Sequence, residues 1–432
     1  MEPSLYRTRR ARLAAQMKHG VAILPTAPER PRNRDSHYPY RYDSYFYYLT
    51  GFREPEAVLV LIAGETTKSI LFCREKDPDR EVWDGFRYGP DAARATFGFD
   101  EAYPIDQLDH RVPELLSNQL ALYCHLGADP AWDARIVRWV NEVRGRARAG
   151  VTAPQVLRDL HAPIDEMRLL KDPAEIGLMR RAARISAQAH RRAMQAAKAG
   201  IGEFAIEAEL MHEFRANGAQ APAYTPIVAS GAHACVLHYV ENADVLRDGD
   251  LILIDAGCEL DGYASDITRT FPVNGRFTGP QRDVYELVLA AQQAAIAQIK
   301  PGSSWIAPHD AAVHVLAQGF VDLGLLKGSV EASLETESYK QFYMHRTGHW
   351  LGLDVHDAGD YKRDGEWRPL EPGMMLTVEP GCYIRPAPGV PEQYVGIGVR
   401  IEDDALVTAL GCEITTAAAP KTIADIEALM RA

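Results

Sequence analysis

The 432-residue chain is 47% hydrophobic and 25% charged, the balance of an ordinary globular protein with room for two cores, which excludes a largely disordered or fibrous chain. Its net charge of -12 excludes the basic face with which nucleic-acid binders neutralise phosphates. No apolar run is long enough to span a bilayer and residues 1–7 lack the apolar stretch of a signal peptide, so the expectation is a soluble cytoplasmic protein that meets neither nucleic acid nor membrane.

From 21 to about 124, short apolar runs rich in β-branched and aromatic residues alternate with polar, helix-compatible stretches. Residues 57–62 and 69–73 read as strands joined by a turn at 64–66, and 132–143 reads as a helix. The run 41–52 holds four tyrosines and two phenylalanines, for which stacked core aromatics are the plain reading. One α/β domain over 1–168 follows.

Residues 166–173 mark a boundary, because Asp172 can cap a helix that begins at Pro173. That helix is expected to reach about 198, and a second, 203–216, stops at Asn217-Gly218. Strand-like pieces follow at 226–228 and 236–239, then further helices at 281–299 and 308–323. Helices and antiparallel hairpins arranged twice over predict an α+β domain across 173–432 with an internal pseudo-twofold.

The duplication is visible in the residues themselves. Gly249 to Cys258 echoes Gly373 to Cys382 at a constant offset of 124, which sets Asp255 on Glu379 and Gly257 on Gly381. Each copy is a short apolar strand that ends in a carboxylate, and a second acid follows each, Asp266 and Glu402, at different spacings. In 395–402 the apolar residues alternate with Gly396, Gly398, Arg400 and Glu402, leaving one face bare and charged. A surface turn is the plain alternative for Asp255 with Asp266, and an acidic turn with Asp403 and Asp404 for Glu402.

Between the two acidic pairs lies a cluster, His345, His349 and His356, interleaved with glycines in a poor core pattern. His238 precedes Asp255 by seventeen residues and, taken alone, is read as structural. Two Asp, two Glu and one His suit two divalent cations, and an oxygen-rich set with one nitrogen fits Mn2+ best, ahead of Zn2+ or Co2+. Four unpaired carboxylates would repel one another, whereas two such ions cancel their charge and hold a bridging hydroxide, which points to hydrolysis. The cysteines Cys73, Cys124, Cys235, Cys258, Cys382 and Cys412 form no C-x-x-C pair and read as free thiols in a reducing compartment.

With these motifs in hand, the chain resembles the bacterial proline-specific aminopeptidases of the pita-bread metallopeptidase family. The resemblance is carried by 237–239, 254–257, 265–271, 345–357, 377–381 and 398–402, and 43–55 looks like that family's N-terminal domain. It implies a pita-bread catalytic domain preceded by a smaller α/β domain, with Asp255 on one metal, His349 and Glu379 on the other, and Asp266 and Glu402 bridging. It also implies catalytic or substrate-contacting roles for His238, His345 and His356, Arg400 beside the metal cluster, and Tyr383 as a pocket tyrosine. Trp83 resembles an N-terminal-domain tryptophan that reaches a neighbouring subunit's site in tetrameric relatives, so a homo-oligomer, dimer or tetramer, is implied.

The activity implied is removal of the first residue from peptides with proline second, with Glu379 as general base. A prolidase restricted to Xaa-Pro dipeptides shares the same metal set. A non-catalytic pita-bread peptide-binding module would lack those ligands, and a di-iron bundle needs the Glu-x-x-His pair on two helices where this chain has it once, at Glu209 and His212.

Overall fold

The computed structural model describes residues 2–431, in two compact units that divide between Met167 and Arg168. In the first, Glu101–Pro104, Lys68–Cys73, Val58–Ala63, Gly20–Pro25, Ala121–Cys124 and Val156–Asp159 lie side by side in that order. Gly20–Pro25 pairs antiparallel with Val58–Ala63, which pairs antiparallel with Lys68–Cys73, and the three flanking pairings are parallel. Period-two alternation sends Val21, Ile23, Val58, Val60, Ile70 and Phe72 to one face, where the helices Leu108–Leu116 and Pro130–Gly145 cover them. The tyrosine-rich run forms the helix Ser44–Thr50, capped by the Asp43 carboxylate on the Phe46 amide. Phe46, Tyr47, Tyr48 and Phe52 are buried, as expected of core aromatics.

The second unit opens with the predicted cap. Asp172 accepts from Ala174 and Glu175 amides while the Glu175 carboxylate accepts from the Asp172 amide, a closed capping box at the head of Pro173–Ala196. That helix packs on Glu203–Ala216, and Gly279–Ile296, with its own capping box from Thr278 and Gln281, packs on Ala307–Asp322. Two helix pairs thus accompany two sets of antiparallel strands.

Two strand expectations fail for identifiable reasons. Residues 236–238 form a turn behind the 3₁₀ segment Gly231–Cys235, because Asn242 takes the edge of Ile227–Ser230 that a strand would need. Its side-chain oxygen accepts from the Val228 amide at 2.9 Å and its nitrogen donates to the Pro226 carbonyl at 2.9 Å. The strand read over 395–402 shrinks to Gly398–Arg400, since Gly396 has φ +84 and breaks the extended backbone.

Register defines the pseudo-twofold more sharply than the acidic residues do. Leu251–Asp255 pairs with Thr268–Pro272, and Met375–Val378 with Asp403–Val407; Ile254 faces Arg269 where Val378 faces Asp403. Beyond the carboxylates, Glu259 faces Ala264 as Tyr383 faces Gly398. The returning strands therefore superpose at an offset of 134, which places Thr268 on Glu402 and Asp266 on Arg400. The reading that set Asp266 against Glu402 is corrected by this register. The second copy spends ten more residues between Tyr383 and Gly398, where the first turns directly at Asp261-Gly262.

Hydrogen bonds across the seam obey the same symmetry. The Asp266 amide donates to Asp404 at 3.2 Å, and its counterpart, the Arg400 amide, donates to Thr270 Oγ1 at 3.2 Å. On the axis itself, counterparts meet: Thr268 Oγ1 donates to Glu402 Oε2 at 2.7 Å and Arg269 Nη2 donates to Asp403 Oδ1 at 2.7 Å.

The seam demands glycine at one point through space and at another through conformation. A Cβ on Gly257 would lie 1.6 Å from the Ser265 carbonyl oxygen, while Gly249 has φ +87 with open space around it. Gly257→Ala should therefore cost at least about 3 kcal/mol in urea unfolding, and Gly249→Ala only about 1 kcal/mol. Equal losses would contradict this assignment.

Candidate metal centre

Asp255 ends the strand Leu251–Asp255 and Glu379 follows Met375–Val378, so the duplicated strands deliver one carboxylate each to the floor of a single cavity. Asp266 precedes the strand Thr268–Pro272, and Glu402 occupies the break between Gly398–Arg400 and Asp403–Val407. His349 comes from the irregular chain before Glu379's strand, its amide bonded to Thr377 Oγ1 at 3.1 Å. Its Nε2 lies 3.5 Å from Asp266 Oδ2 and 3.6 Å from Glu379 Oε1. Ligand-capable atoms of Asp266, His349 and Glu402 all fall within 4.8 Å of one another.

The cavity has a volume of about 890 Å³, and His238, His345, His356 and Arg400 line it together with all four carboxylates and His349. Of the residues singled out in the sequence, only Tyr383 and Trp83 are absent from its lining. Tyr383 is buried behind it, its hydroxyl 2.8 Å from His345 Nε2 and 3.0 Å from Arg400 Nη1. Trp83 lies in the first unit and is 85% exposed, next to exposed Val82 and Phe86.

Hydrogen-bond chemistry fixes two imidazoles. His349 Nδ1 lies 2.9 Å from the Trp350 carbonyl, which can only accept, so Nδ1 carries a proton and Nε2 is aimed at the carboxylates, which hold a second proton on it when no cation is bound. His345 Nδ1 donates to the Arg346 carbonyl at 2.8 Å, which makes its Nε2 the acceptor for the Tyr383 hydroxyl. Both nitrogens of His345 are thereby engaged. Burial, reinforced by the Arg400 charge, holds its pKa down at about 3, so this ring is neutral and fixed.

Three partners of the carboxylates carried no signal of their own in the sequence. The Tyr224 hydroxyl is shared between Asp255, at 2.6 Å, and Asp266. Thr268 Oγ1 receives Arg400 Nε at 3.0 Å and donates onward to Glu402, so both predicted residues meet on one hydroxyl. Gln292 donates to the carbonyls of Val378 and Ile401, the residues just before Glu379 and Glu402. A tyrosine after alanine, a threonine in a strand and a glutamine in a helix have ordinary structural readings, and only their placement distinguishes them.

Crowding shows in the proton affinities. Burial, with Asp266 and Asp255 close by, pushes Glu379 up to about 7 against the opposing charges of His349 and Arg400. Burial and the same acidic neighbours raise Glu402 well above the carboxylate range. Burial also raises Asp255, although Arg400 Nη2 sits 2.5 Å from its Oδ2. Burial works to raise Asp266 as well, but hydrogen bonds from His349 and Tyr224 prevail and its pKa is lowered. His349, which burial alone would lower, is brought up to about 9 by Asp266 and Glu379. Such a donor set, rich in hard oxygens and holding protons against its mutual repulsion, suits divalent cations.

A second convergence, His125, Asp159 and His161, lies in the first unit. There the two imidazoles stack at 3.5 Å between centroids and 13° between planes, so their in-plane lone pairs run side by side rather than toward one point. That arrangement is an aromatic stack, continued by Tyr45 on His161.

Residues 177–409 match the metallopeptidase family M24, and residues 6–123 match the aminopeptidase P N-terminal domain. The chain belongs to the aminopeptidase P branch of the M24 metallopeptidases. It is 48% identical to an Xaa-Pro aminopeptidase of Haemophilus influenzae over 98% of this chain and 96% of that one. Identity to the Escherichia coli Xaa-Pro aminopeptidase is 46%, over 98% and 97%. A solved Pseudomonas aeruginosa aminopeptidase superposes with a TM-score of 0.98 at 52% identity, covering 100% of this chain and 98% of that one. The Escherichia coli aminopeptidase P in complex with substrate gives 0.97 at 45%, covering 100% and 98%. As an M24 metallopeptidase with the pita-bread fold, the chain uses divalent metal ions. Among the described residues no helix is long and apolar enough to cross a membrane.

Raised pKa values make a signed prediction for metal-stripped protein. Glu379 rises from 4.5 to about 7 and His349 from 6.5 to about 9, so the folded state binds more protons and stability must fall as pH climbs through those values. His190 and His309, lowered to about 4, and His345, lowered to about 3, act oppositely but only below 6.5. From pH 6.5 to 9 the metal-stripped melting temperature should therefore decline, and Mn2+ should abolish most of the decline. A flat metal-free profile in calorimetry would contradict the proton-holding cluster.

Proposed function

We propose that Asp255, Asp266, His349, Glu379 and Glu402 hold two divalent ions, Mn2+ by preference, and that Glu379 is the general base of proline-specific aminopeptidase chemistry. The enzyme hydrolyses the bond between an N-terminal residue and a following proline in peptides. One observation carries the residue roles: four carboxylates and one oriented imidazole converge on the pseudo-twofold axis at the floor of one cavity. When bound, the ions supply Lewis-acid polarisation and lower the pKa of water toward about 7.

The chain's own residues perform the rest. Water adds to the carbonyl carbon of the first residue, one of its protons passes to Glu379, the C–N bond breaks, and the prolyl nitrogen leaves with that proton. A carboxylate on the cavity wall beside the reacting carbonyl is suited to take and return it. His238 and His356 line the cavity beside Glu379 and offer N–H donors to the developing oxyanion and the leaving nitrogen. Neutral His345, held by Tyr383, keeps that wall in place, and Arg400 orients Asp255. Ile227, Leu237, Trp305, Val355 and Trp367 make the upper walls apolar, which suits a prolyl ring that presents no N–H to satisfy.

The segments 1–168 and 173–432 are proposed as the accessory and catalytic domains, a reading supported by the compact units around them. A cytoplasmic setting is supported by six cysteines that all remain free thiols. A homo-oligomer, dimer or tetramer, is supported by the exposed Val82, Trp83 and Phe86, an apolar cluster of the kind that marks protein contacts.

Mn2+-loaded enzyme should cleave Arg-Pro-Pro and turn over Ala-Pro-Ala faster than Ala-Pro, the reverse order identifying a prolidase. Glu379→Gln should lower kcat by at least about 1,000-fold, as expected where base and ligand are lost together. Light scattering should give an oligomer, and Trp83→Ala should raise KM for tripeptides; a monomer with unchanged KM would remove Trp83 from the site.

A further inference from the structure

From Leu351 to Tyr361 the chain that carries His356 forms neither helix nor strand, so no ladder fixes its backbone. Beyond the backbone bonds of Leu351 to Met375 and of Ala264 to Gly352, what fixes it is Asp357. Its amide donates to the Trp350 carbonyl at 2.9 Å, and its Oδ1 accepts from the Asp354 amide at 3.3 Å. The same carboxylate receives Arg168 Nη2 at 2.6 Å and Lys171 Nζ at 2.9 Å, with all three side chains 1% exposed. Arg168 Nη2 also reaches Asp354 Oδ2 at 2.7 Å. Two cations thus meet two carboxylates at opposite ends of a loop four residues long.

The fit is close on every side. A Cβ on Gly352 would fall 2.1 Å from Asp357 Oδ2 and 3.1 Å from the Lys171 side chain, so only glycine admits the pair. The Lys171 amide donates to the Gly373 carbonyl at 2.9 Å, at the turn that leads into Glu379's strand. His356, next to Asp357 in sequence, packs edge-on against His349 at 4.3 Å and lines the cavity, whereas Arg168, Lys171 and Asp357 do not.

We propose that Arg168 and Lys171 are positioning residues for catalysis, clamping Asp357 from behind so that His356 faces the cavity beside the metal ligands. The proposal deepens the aminopeptidase reading and rests on it for its kinetic arm. A buried ion pair tied to two segments holds one geometry, because breaking it strands a charge. A displaced catalytic ring loses rate more than binding.

Lys171→Met in Mn2+-loaded enzyme should lower kcat about 10- to 100-fold with KM changed less than about threefold, as misplacement predicts. Metal content should stay unchanged and Lys171→Arg should recover most of the rate. In a His356→Ala background the same substitution should change kcat less than about twofold, because residues acting as one unit are not additive. Hydrogen exchange at 351–358 should quicken about tenfold while 251–258 stays protected, as local loosening requires. If Lys171→Met fails to accumulate, Asp354→Asn at the half-exposed rim should give the same pattern at smaller amplitude. Equal kcat losses in both backgrounds, or unchanged exchange at 351–358, would overturn the clamp. Wild-type protein inert toward Xaa-Pro peptides would instead overturn the aminopeptidase reading and leave the exchange result standing.

Discussion

The constraint on which the catalytic unit depends is the mutual repulsion of Asp255, Asp266, Glu379 and Glu402 in a buried space. Two fixed positive or proton-bearing groups, Arg400 and His349, stand against four acids, and the remaining imbalance appears as Glu379 held near pH 7 and Glu402 far above its ordinary range. Side chains that repel this strongly stay together only if their backbones cannot retreat. The carboxylates accordingly sit at strand ends or in short breaks between strands, each next to a residue tied by buried polar bonds.

Duplication supplies the geometry that resists retreat. Because the returning strands repeat at an offset of 134, Thr268 meets its counterpart Glu402 and Arg269 meets its counterpart Asp403 across the axis. Asp403 also takes Lys421 at 2.7 Å and Gln292 at 3.0 Å, so two cations face this one carboxylate and its pKa is lowered to about 2. The two halves have diverged where function needs it: one half places threonine and aspartate at the positions where the other places glutamate and arginine. Asymmetric chemistry has grown on a symmetric frame.

Activity at such a centre also requires loops that the strands do not reach. His345 is held through Tyr383 and Arg400, and His356 through Asp357, Arg168 and Lys171. In both cases a histidine at the cavity wall is governed by a buried group one layer behind it. Polar networks of this kind fix one arrangement only when every member is satisfied.

Much of this was legible in the chain. Apolar periodicity, the Asp172-Pro173 cap, Asn217-Gly218 and the echo of Gly249–Cys258 in Gly373–Cys382 declared the helices, the strands and the duplication, since these are local patterns with periods of 3.6 and 2. The same echo pointed to Asp255 and Glu379 as partners. Tertiary structure alone decided the rest. It showed that Asp266 is the counterpart of Arg400, that residues 236–238 turn because Asn242 caps the strand edge, and that Tyr224, Thr268 and Gln292 support the acids. The reason is physical: register and side-chain convergence depend on which strand lies opposite and how long the intervening loop is. The ten extra residues between Tyr383 and Gly398 hide that register from any constant sequence offset.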